Sequence, residues 1–287
     1  MTVFAGLHLA QGDGGPPSTR ASGSGPGENG VAIVSLRFRG GVHMHATPRQ
    51  HVVWFHTSPR VRFDCRLERR ALRHELSAGF LAICPAGVDC AADADEDADA
   101  ILVAIDSGRL ALAAAEESTL DAQLLERFTG CDRMLFDYAL RLVKESADGF
   151  PNGPLFWNDL ASGVITSLLA RHSSEVRHRA RGRLGQDVFK RLKAYILARL
   201  DAPIDVTALA DVAGRSPFHF SRVFARSVGM TPHRYVVHLR LQRATELVRH
   251  GRGSLAEIAA RTGFADQSHL SRWVRRVHGV SPSDLVS

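Results

Sequence analysis

The sequence is poor in cysteine and has no long apolar run. Its four cysteines, in a chain of 287 residues, show no CxxC spacing, so we expect reduced and mostly structural thiols. No stretch of eighteen apolar residues occurs, and no basic-then-apolar leader opens the chain, which argues against a membrane span and an export signal. These absences predict a soluble, cytoplasmic protein that does not contact a membrane.

The signatures of common enzyme classes are also missing. The chain shows no Ser-His-Asp order, no Walker loop and no Gly-rich nucleotide-binding fingerprint. The sequence therefore predicts a protein that is not an enzyme and that carries no cofactor.

The last hundred residues contain one pattern written twice, about fifty residues apart. Each copy has a short apolar helix, a glycine (Gly214 or Gly263), a second helix with a polar face, and a closing glycine and proline. The glycine permits the φ > 0 exit that ends the first helix, and Ser216-Pro217 is a strong start for the second helix of the first copy. This arrangement is typical of a helix-turn-helix, and two copies predict two reading heads for DNA.

A long helix is predicted between the two copies. Thr231 caps it, and it runs from Pro232 to about Arg249. Its apolar stripe consists of Val237, Leu241, Ala244 and Val248. Eighteen residues at about 1.5 Å each span roughly 27 Å, which is close to the ~34 Å between successive major-groove faces on one side of DNA. The helix can therefore hold both readers on adjacent turns of a duplex, and the C-terminal domain is predicted to be all-α.

Five segments of this region carry a longer and more specific pattern. They are Gly-Met-Thr-Pro-His-Arg-Tyr at 229–235, Arg-Leu-Gln-Arg-Ala at 240–244, Ile-Ala-Ala-Arg-Thr-Gly-Phe at 258–264, Asp-Gln-Ser-His-Leu-Ser-Arg at 266–272 and Gly-Val-Ser-Pro at 279–282. With them, residues 186–287 resemble the DNA-binding domain of the AraC/XylS family of bacterial transcription regulators. The resemblance covers about a third of the chain.

The resemblance implies which side chains read base edges. They are Phe218, Ser221 and Arg222 in the first recognition helix, and Gln267, Ser268, Ser271 and Arg272 in the second. The chemistry agrees, because arginine can contact guanine bidentately and glutamine can contact adenine. Double-stranded DNA is the expected partner, and RNA polymerase is expected as well if the protein activates transcription.

Charge supports a nucleic-acid partner independently of the motifs. Residues 186–287 hold 16 Lys and Arg against 8 Asp and Glu, whereas the rest of the chain holds 20 against 22, so positive charge is concentrated where phosphates would lie. We expect Arg240 or Arg243 to pair with a nearby acid rather than with DNA. The candidate acids are Asp211, Glu246 and Glu257. The basic residues of 176–185 are interpreted as a solvated linker, with a groove-contacting arm as the alternative.

The first half of the chain has a different composition. Residues 1–30 are predicted to be disordered, because the Gly-, Pro- and Ser-rich stretch 11–30 cannot bury enough apolar surface to offset its chain entropy. Residues 31–107 contain short β-rich runs separated by Gly, Pro and Ser, which predicts an antiparallel barrel or jelly roll. The runs are 31–38, 51–57, 61–67, 72–76, 80–84 and 101–105.

One segment of this region is similar to a cupin motif. The stretch from Gly79 to Cys90 has the glycine, the five-residue spacer and the Pro-Ala-Gly of the second cupin motif, but Cys90 stands where the metal-binding histidine would be. Upstream, His43 and His45 resemble the His-x-His of the first motif, although no glutamate follows at the expected distance. The metal set is incomplete, so we predict a cupin-like sensor barrel without metal.

The candidate ligand-binding residues of this barrel are His43, His45, Trp54 and Cys90. Alternating histidines on a strand point to one side, and His and Cys can bind zinc or iron, so a metal site is one alternative. Ordinary strand surface is another for the histidines. A small-molecule effector in the barrel remains the favoured prediction.

Residues 108–175 are predicted to be a helical dimerisation or linker region. The helical patterns are 119–128, 132–147 and 154–172. Their apolar stripes would either pair with a second copy of the chain, giving a homodimer, or pack onto the chain's own barrel.

The whole chain is thus predicted to be an α+β multidomain protein, with an N-terminal cupin- or jelly-roll-like barrel, a helical segment and a C-terminal double helix-turn-helix domain. The leading functional hypothesis is a ligand-responsive, sequence-specific transcription regulator. A regulator whose barrel only dimerises or binds a protein, and a cupin enzyme with a DNA-binding tail, are the alternatives.

Overall fold

The computed structural model describes residues 4, 6–68, 70–117, 120, 122–128, 130–175 and 182–286. They form two compact units. The N-terminal unit comprises Met1–Gly25, Asn29–Ser107 and Gln123–Ser174, and the C-terminal unit comprises Pro26–Glu28, Gly108–Ala122 and Glu175–Ser287. The chain therefore passes from one unit to the other several times. Residues 176–181 of the predicted basic linker lie outside the described residues.

The N-terminal unit is built on two five-stranded antiparallel sheets. One sheet has the order β1 (Leu7–Gln11), β4 (Val42–Ala46), β9 (Cys90–Ala94), β6 (Val61–Leu67) and β7 (Arg70–Leu76). The other has the order β2 (Ser18–Ser24), β3 (Val31–Phe38), β10 (Ala98–Ile105), β5 (His51–His56) and β8 (Leu81–Cys84). Most strands are paired with partners distant in sequence, as in jelly rolls.

The two sheets share one hydrophobic core. Phe38 and Trp54 from one sheet stack at 5.9 Å between ring centroids and pack in the same cluster as Phe63 and Ala92 from the other. Along β6, apolar Val61 and Phe63 are buried while their polar neighbours are exposed, because successive side chains of a strand point to opposite faces. The predicted fold class, antiparallel β-structure followed by an all-α domain, is confirmed.

The prediction that residues 1–30 are disordered is wrong for two segments. β1 pairs with β4 and β2 pairs with β3. Both are edge strands, so they are held by backbone hydrogen bonds along one side and expose much of their surface. Composition measures the apolar area a segment can bury, and it therefore misses strands that are stabilised mainly by pairing.

Two helices complete the N-terminal unit at the places predicted. Asp132 caps α2 (Arg133–Ala147) by accepting hydrogen bonds from the backbone N–H groups of residues 134 and 135, and α3 (Gly153–His172) packs against α2. Leu142 and Leu168, on the apolar stripes, are fully buried within the chain. Part of these stripes therefore packs within the chain's own N-terminal unit, whereas Met134 on α2 stays exposed.

The helix predicted over 119–128 is wrong. The described residues there include β11 (Ala122–Leu124), which pairs with β12 (Ser173–Glu175). This pairing joins segments about fifty residues apart and has no local signature. A helix that was not predicted, α1 (Ser107–Glu116), precedes it.

The C-terminal unit is all-helical within the described residues. It contains α4 (Gln186–Leu197), α5 (Val206–Val212), α6 (Pro217–Val228), α7 (Pro232–Arg249), α8 (Leu255–Arg261) and α9 (Gln267–His278), followed by a 3-10 turn at Pro282–Leu285. An aromatic cluster holds it together, with ring centroids 5.4–6.4 Å apart. Its members are Phe189, Phe220, Phe224 and Tyr235.

Helix α1 contributes to this same core. Leu112 and Ala115 are buried in it, together with Leu120 just beyond the helix. The boundary predicted at residue 186 therefore leaves out part of the C-terminal unit. Across the part of the chain that the structure describes, no helix is long and apolar enough to cross a bilayer.

Candidate nucleic-acid interface

The first helix-turn-helix is formed by α5 and α6. Gly214 lies in the turn that follows α5 and has φ +62°, a left-handed conformation that glycine adopts without a steric penalty. Ser216 occupies the N-cap position before Pro217, although its side chain makes no cap hydrogen bond. Phe220 and Phe224 are completely buried, so the opposite side of α6 faces outward.

The second helix-turn-helix repeats this design in α8 and α9. Ser254 and Glu257 form a capping box at the start of α8, and Asp266 caps α9 by accepting from the backbone N–H of residue 269 at 2.7 Å. Gly263 has φ +74°, and a Cβ there would overlap the Leu200 carbonyl and the Arg240 guanidinium. Only glycine fits this turn, because both its backbone angle and its surroundings exclude a side chain.

All seven side chains predicted to read bases lie on α6 and α9. Five are exposed and two serines are half-buried; the exposed ones are Phe218, Arg222, Gln267, Ser268 and Arg272. Phe218 is 80% exposed in the first turn of α6, so its ring is accessible to a partner. The hydroxyl of Ser221 donates to the Pro217 carbonyl at 2.9 Å.

Two apolar side chains of α9, Trp273 and Val277, are half-buried, whereas Leu270 and Val274 are fully buried. The indole N–H of Trp273 donates to the ring nitrogen of His269 at 3.0 Å. The Arg276 guanidinium lies 5.2 Å from the centre of its ring. The tryptophan therefore fixes two polar side chains on the helix surface rather than filling the core.

The linker helix α7 has the predicted bounds and the predicted buried stripe. Thr231 caps it by accepting from the backbone N–H of Arg234 at 3.4 Å. Arg243 pairs with Glu246 at 2.6 Å, as expected. Arg240 instead donates to the Ala202 carbonyl at 2.7 Å, and burial lowers its pKa while the charge of Asp201 raises it. Its contact is part of the fold, which fits the expectation that Arg240 is not a DNA contact.

An acidic residue from far upstream pairs with two arginines of the C-terminal unit. The Glu28 carboxylate lies 2.9 Å from an Arg234 nitrogen and 2.7 Å from the Arg276 Nε, and the backbone N–H of Glu28 donates to the Val277 carbonyl at 3.2 Å. The pairing joins positions more than two hundred residues apart, so local sequence patterns contain no signal for it. It neutralises part of the charge next to the second recognition helix.

The four candidate ligand residues of the sheets fall into two groups. His43 and His45 are more than half exposed and pair with Asp93 and Asp89, each at 3.2 Å. They lie on the outer face of β4, whereas the smaller apolar residues of that strand face inward. These two histidines therefore do not line the interior. Among the described residues, no three His, Cys, Asp or Glu side chains are grouped so that they could hold a metal ion.

Trp54 and Cys90, by contrast, both line an internal cavity of about 50 Å³. Its wall is almost entirely apolar and includes Met44, Val52, Phe63, Leu67, Ala82 and Phe128, with Arg66 as the one charged side chain. Since roughly 10–15 Å³ of such space suffices for one water, the cavity suits a molecule of only a few non-hydrogen atoms. A small apolar compound would match its lining.

Comparison with known proteins finds matches in the C-terminal unit. Residues 209–287 match the family described as helix-turn-helix domain. The chain is 36% identical over 89 residues to the probable transcriptional regulator LumQ of Photobacterium leiognathi, covering 31% of this chain and 36% of LumQ. It is 40% identical over 78 residues to the HTH-type transcriptional activator RhaS of Escherichia coli O1:K1 / APEC, covering 27% of this chain and 28% of RhaS.

The match thus spans about a third of the length of these curated relatives. Among solved structures, a transcriptional regulator with an AraC-type DNA-binding domain from Chromobacterium violaceum is 25% identical, with 35% of this chain and 89% of that chain covered and a TM-score of 0.33.

Proposed function

We propose that this chain, whose C-terminal part is an AraC-type double helix-turn-helix domain, is a sequence-specific DNA-binding transcription regulator. The observation that carries the proposal is the repetition of one reading unit in α6 and α9. Both helices bury their apolar side and present an exposed side that contains an arginine, Arg222 or Arg272. Arginine at such positions can donate two hydrogen bonds to one guanine.

The seven side chains on α6 and α9 that are predicted to read bases divide by chemistry. Arg222 and Arg272 would read guanine, Gln267 would read adenine, and the exposed ring of Phe218 would contact a thymine methyl group. The serines Ser221, Ser268 and Ser271 would supply shorter hydrogen bonds to bases or phosphates. The excess of Lys and Arg in residues 186–287 would add attraction that does not depend on sequence.

The experiment is selection of binding sites from random duplexes with the full chain, followed by Arg222→Ala and Arg272→Ala on the selected site. Each substitution should weaken specific binding by about 1–3 kcal/mol and relax preference at one base pair. Arg191→Ala is the matched control, since Arg191 is an exposed arginine on α4 and should leave the preferred sequence unchanged. Unaltered preference in both recognition-helix variants would refute the assignment.

The N-terminal unit is proposed to bind a small-molecule effector, and the apolar cavity supports this role. The test is the melting temperature of the full chain in the presence of small apolar compounds, because a ligand that binds only the folded state raises it. Ala82→Leu would fill part of the cavity and should abolish the shift. A shift that persists in this variant would show that the compound binds elsewhere.

The remaining features of the proposal follow from a regulatory role. The protein would act in the cytoplasm on chromosomal DNA, would have no catalytic activity, and would contact RNA polymerase if it activates transcription. It would bind as a homodimer, so that a second reader is held close to the first. Light scattering of the full chain tests the dimer. A monomeric mass, together with an affinity for two tandem sites no higher than for a single site, would contradict it.

A further inference from the structure

Three of the four cysteines lie around the apolar cavity of the N-terminal unit. They are Cys65, Cys84 and Cys90, whereas Cys131 is exposed. Cys84 is the last residue of β8 and Cys90 is the first residue of β9, with a five-residue turn between them. β8 and β9 belong to different sheets, so the two thiols meet where the sheets approach each other.

Cys84 and Cys90 are neighbours in the core. Both are buried and free, they belong to one cluster with Phe128 and Leu67, and both line the same cavity. The Cys84 thiol donates to the Val88 carbonyl oxygen at 3.5 Å. Neighbouring cysteines form a disulfide once their Cβ atoms approach to about 4 Å.

The surroundings make the three thiols unequal. The neighbouring Cys84 side chain lowers the pKa of Cys90 against the opposing effects of burial and of Asp89, while Cys90 and burial raise the pKa of Cys84. Burial and the charges of Asp64 and Asp93 raise the pKa of Cys65 to about 12. Since the thiolate is the nucleophile, Cys90 is the attacking group.

We propose that Cys84 and Cys90 are a redox-active pair that small alkyl hydroperoxides oxidise from within the cavity. The apolar wall admits an alkyl group and disfavours a strongly hydrated oxidant, because transfer of unpaired polar groups from water to such a wall is costly. The cavity volume of about 50 Å³ limits the alkyl group to a few carbons.

The reaction balances in two steps. The Cys90 thiolate attacks the terminal oxygen of the hydroperoxide, the O–O bond breaks, and the alkoxide leaves and takes up a proton, which gives an alcohol and a sulfenic acid at Cys90. The Cys84 sulfur then attacks the Cys90 sulfur, the S–O bond breaks, and water leaves. Overall, two thiols lose two electrons and two protons, and the hydroperoxide is reduced to one alcohol and one water.

The sequence allows a direct assay on the intact chain. Trypsin would release residues 74–109 as one peptide that contains both Cys84 and Cys90, whereas Cys65 and Cys131 fall on the separate peptides 63–66 and 128–133. The reduced full-length protein is treated with methyl hydroperoxide, which has three non-hydrogen atoms, and is then alkylated in denaturant and digested. We expect peptide 74–109 to lose the mass of two hydrogen atoms and to take up no alkylating agent, with reversal by dithiothreitol.

Substitutions at the cysteines and in the cavity wall separate the roles of the individual thiols from that of the cavity. Cys90→Ser should leave Cys84 reduced, and Cys84→Ser should leave a sulfenic acid at Cys90 that dimedone traps. Cys65→Ser and Cys131→Ser should not prevent the internal disulfide. Ala82→Leu, which narrows the cavity, should slow the reaction with methyl hydroperoxide. With the wild-type chain, hydrogen peroxide at the same concentration should react more slowly than methyl hydroperoxide.

The wild-type digest decides the proposal even if a variant fails to fold. Full alkylation of peptide 74–109 after treatment, or oxidation of Cys131 in preference to it, would overturn the redox pair. Equal or faster oxidation by hydrogen peroxide, with no effect of Ala82→Leu, would overturn the route through the cavity. Failure here leaves DNA binding untouched, because the base-preference experiment reads the C-terminal unit alone.

Discussion

Replacing Leu112 by alanine tests whether helix α1 is an integral part of the DNA-binding unit. Leu112 is 1% exposed and packs in the cluster that contains Phe189, Tyr235 and Leu239. The substitution removes three carbon groups, and at about 0.8 kcal/mol each they account for roughly 2.4 kcal/mol of lost burial. The void that remains adds to this, so we expect a total loss of about 2–5 kcal/mol.

Hydrogen exchange followed by mass spectrometry gives the loss in the free energy of unfolding for each unit separately. Since about 1.4 kcal/mol corresponds to a factor of ten, amides of α4 and α7 should exchange roughly 30-fold faster or more in the variant. Amides of β3 and β10, in the N-terminal unit, serve as the internal reference. Leu197→Ala is the matched control, because Leu197 is 48% exposed on α4 and its removal should change stability by less than about 0.5 kcal/mol.

If Leu112→Ala changes hydrogen exchange in α4 and α7 no more than Leu197→Ala does, helix α1 is not an integral part of the C-terminal core. Faster exchange confined to β3 and β10 would lead to the same conclusion. Success would mean that a fragment beginning near Gly185 lacks part of its own core, and that such a fragment underestimates both the stability and the DNA affinity of the C-terminal unit.

Three further predictions concern charged side chains. Glu28→Gln should release Arg234 and Arg276 and steepen the slope of log affinity for DNA against log salt concentration by about one to two units. Asp187→Asn, at an exposed acid on α4, is the control and should steepen this slope less. Equal effects of the two substitutions would contradict the pairing of Glu28 with the arginines. Arg240→Ala should lower the melting temperature and leave the salt slope nearly unchanged, because its guanidinium is bonded to the Ala202 carbonyl; loss of about one unit of slope at constant melting temperature would make it a phosphate contact instead. Burial opposes ionisation of Asp132, but hydrogen bonds from His172 and Leu135 and the charge of Arg171 lower its pKa. The stability that Asp132 contributes is therefore present above the ordinary carboxyl pKa and is lost as the pH falls through the lowered value. The difference in melting temperature between the wild type and Asp132→Asn should shrink as the pH falls through that range, and a constant difference would refute this role of Asp132.

Local patterns predict the C-terminal unit well because its signals are local. The bounds of α7, the left-handed backbone angle at Gly263 and the buried face of α6 all depend on residues within a few positions of one another. Helix periodicity and cap chemistry report directly on such short-range structure. The contribution of α1 was not predicted, because its partners follow it by seventy residues or more.

The N-terminal unit shows the opposite case. Edge strands β1 and β2 and the β11–β12 pair exist only through partners elsewhere in the chain, and the pairing of Glu28 is of the same kind. The outward position of His43 and His45 was within reach of the sequence, since Val42, Met44 and Ala46 alternate with them and form the more apolar side of β4. This alternation favours ordinary strand surface over ligand binding for the two histidines.

The repeated passage of the chain between its two units sets an order of events during synthesis. Leu112 emerges from the ribosome more than a hundred residues before Tyr235 and Leu239, against which it packs; at about 5–20 residues per second, the interval is roughly 6–25 s. During that time the apolar face of α1 has no native partner from α7, and the nascent chain must keep it soluble. The reading heads therefore reach their native packing only after α7 has been made, although α1, which is part of their support, is made long before it.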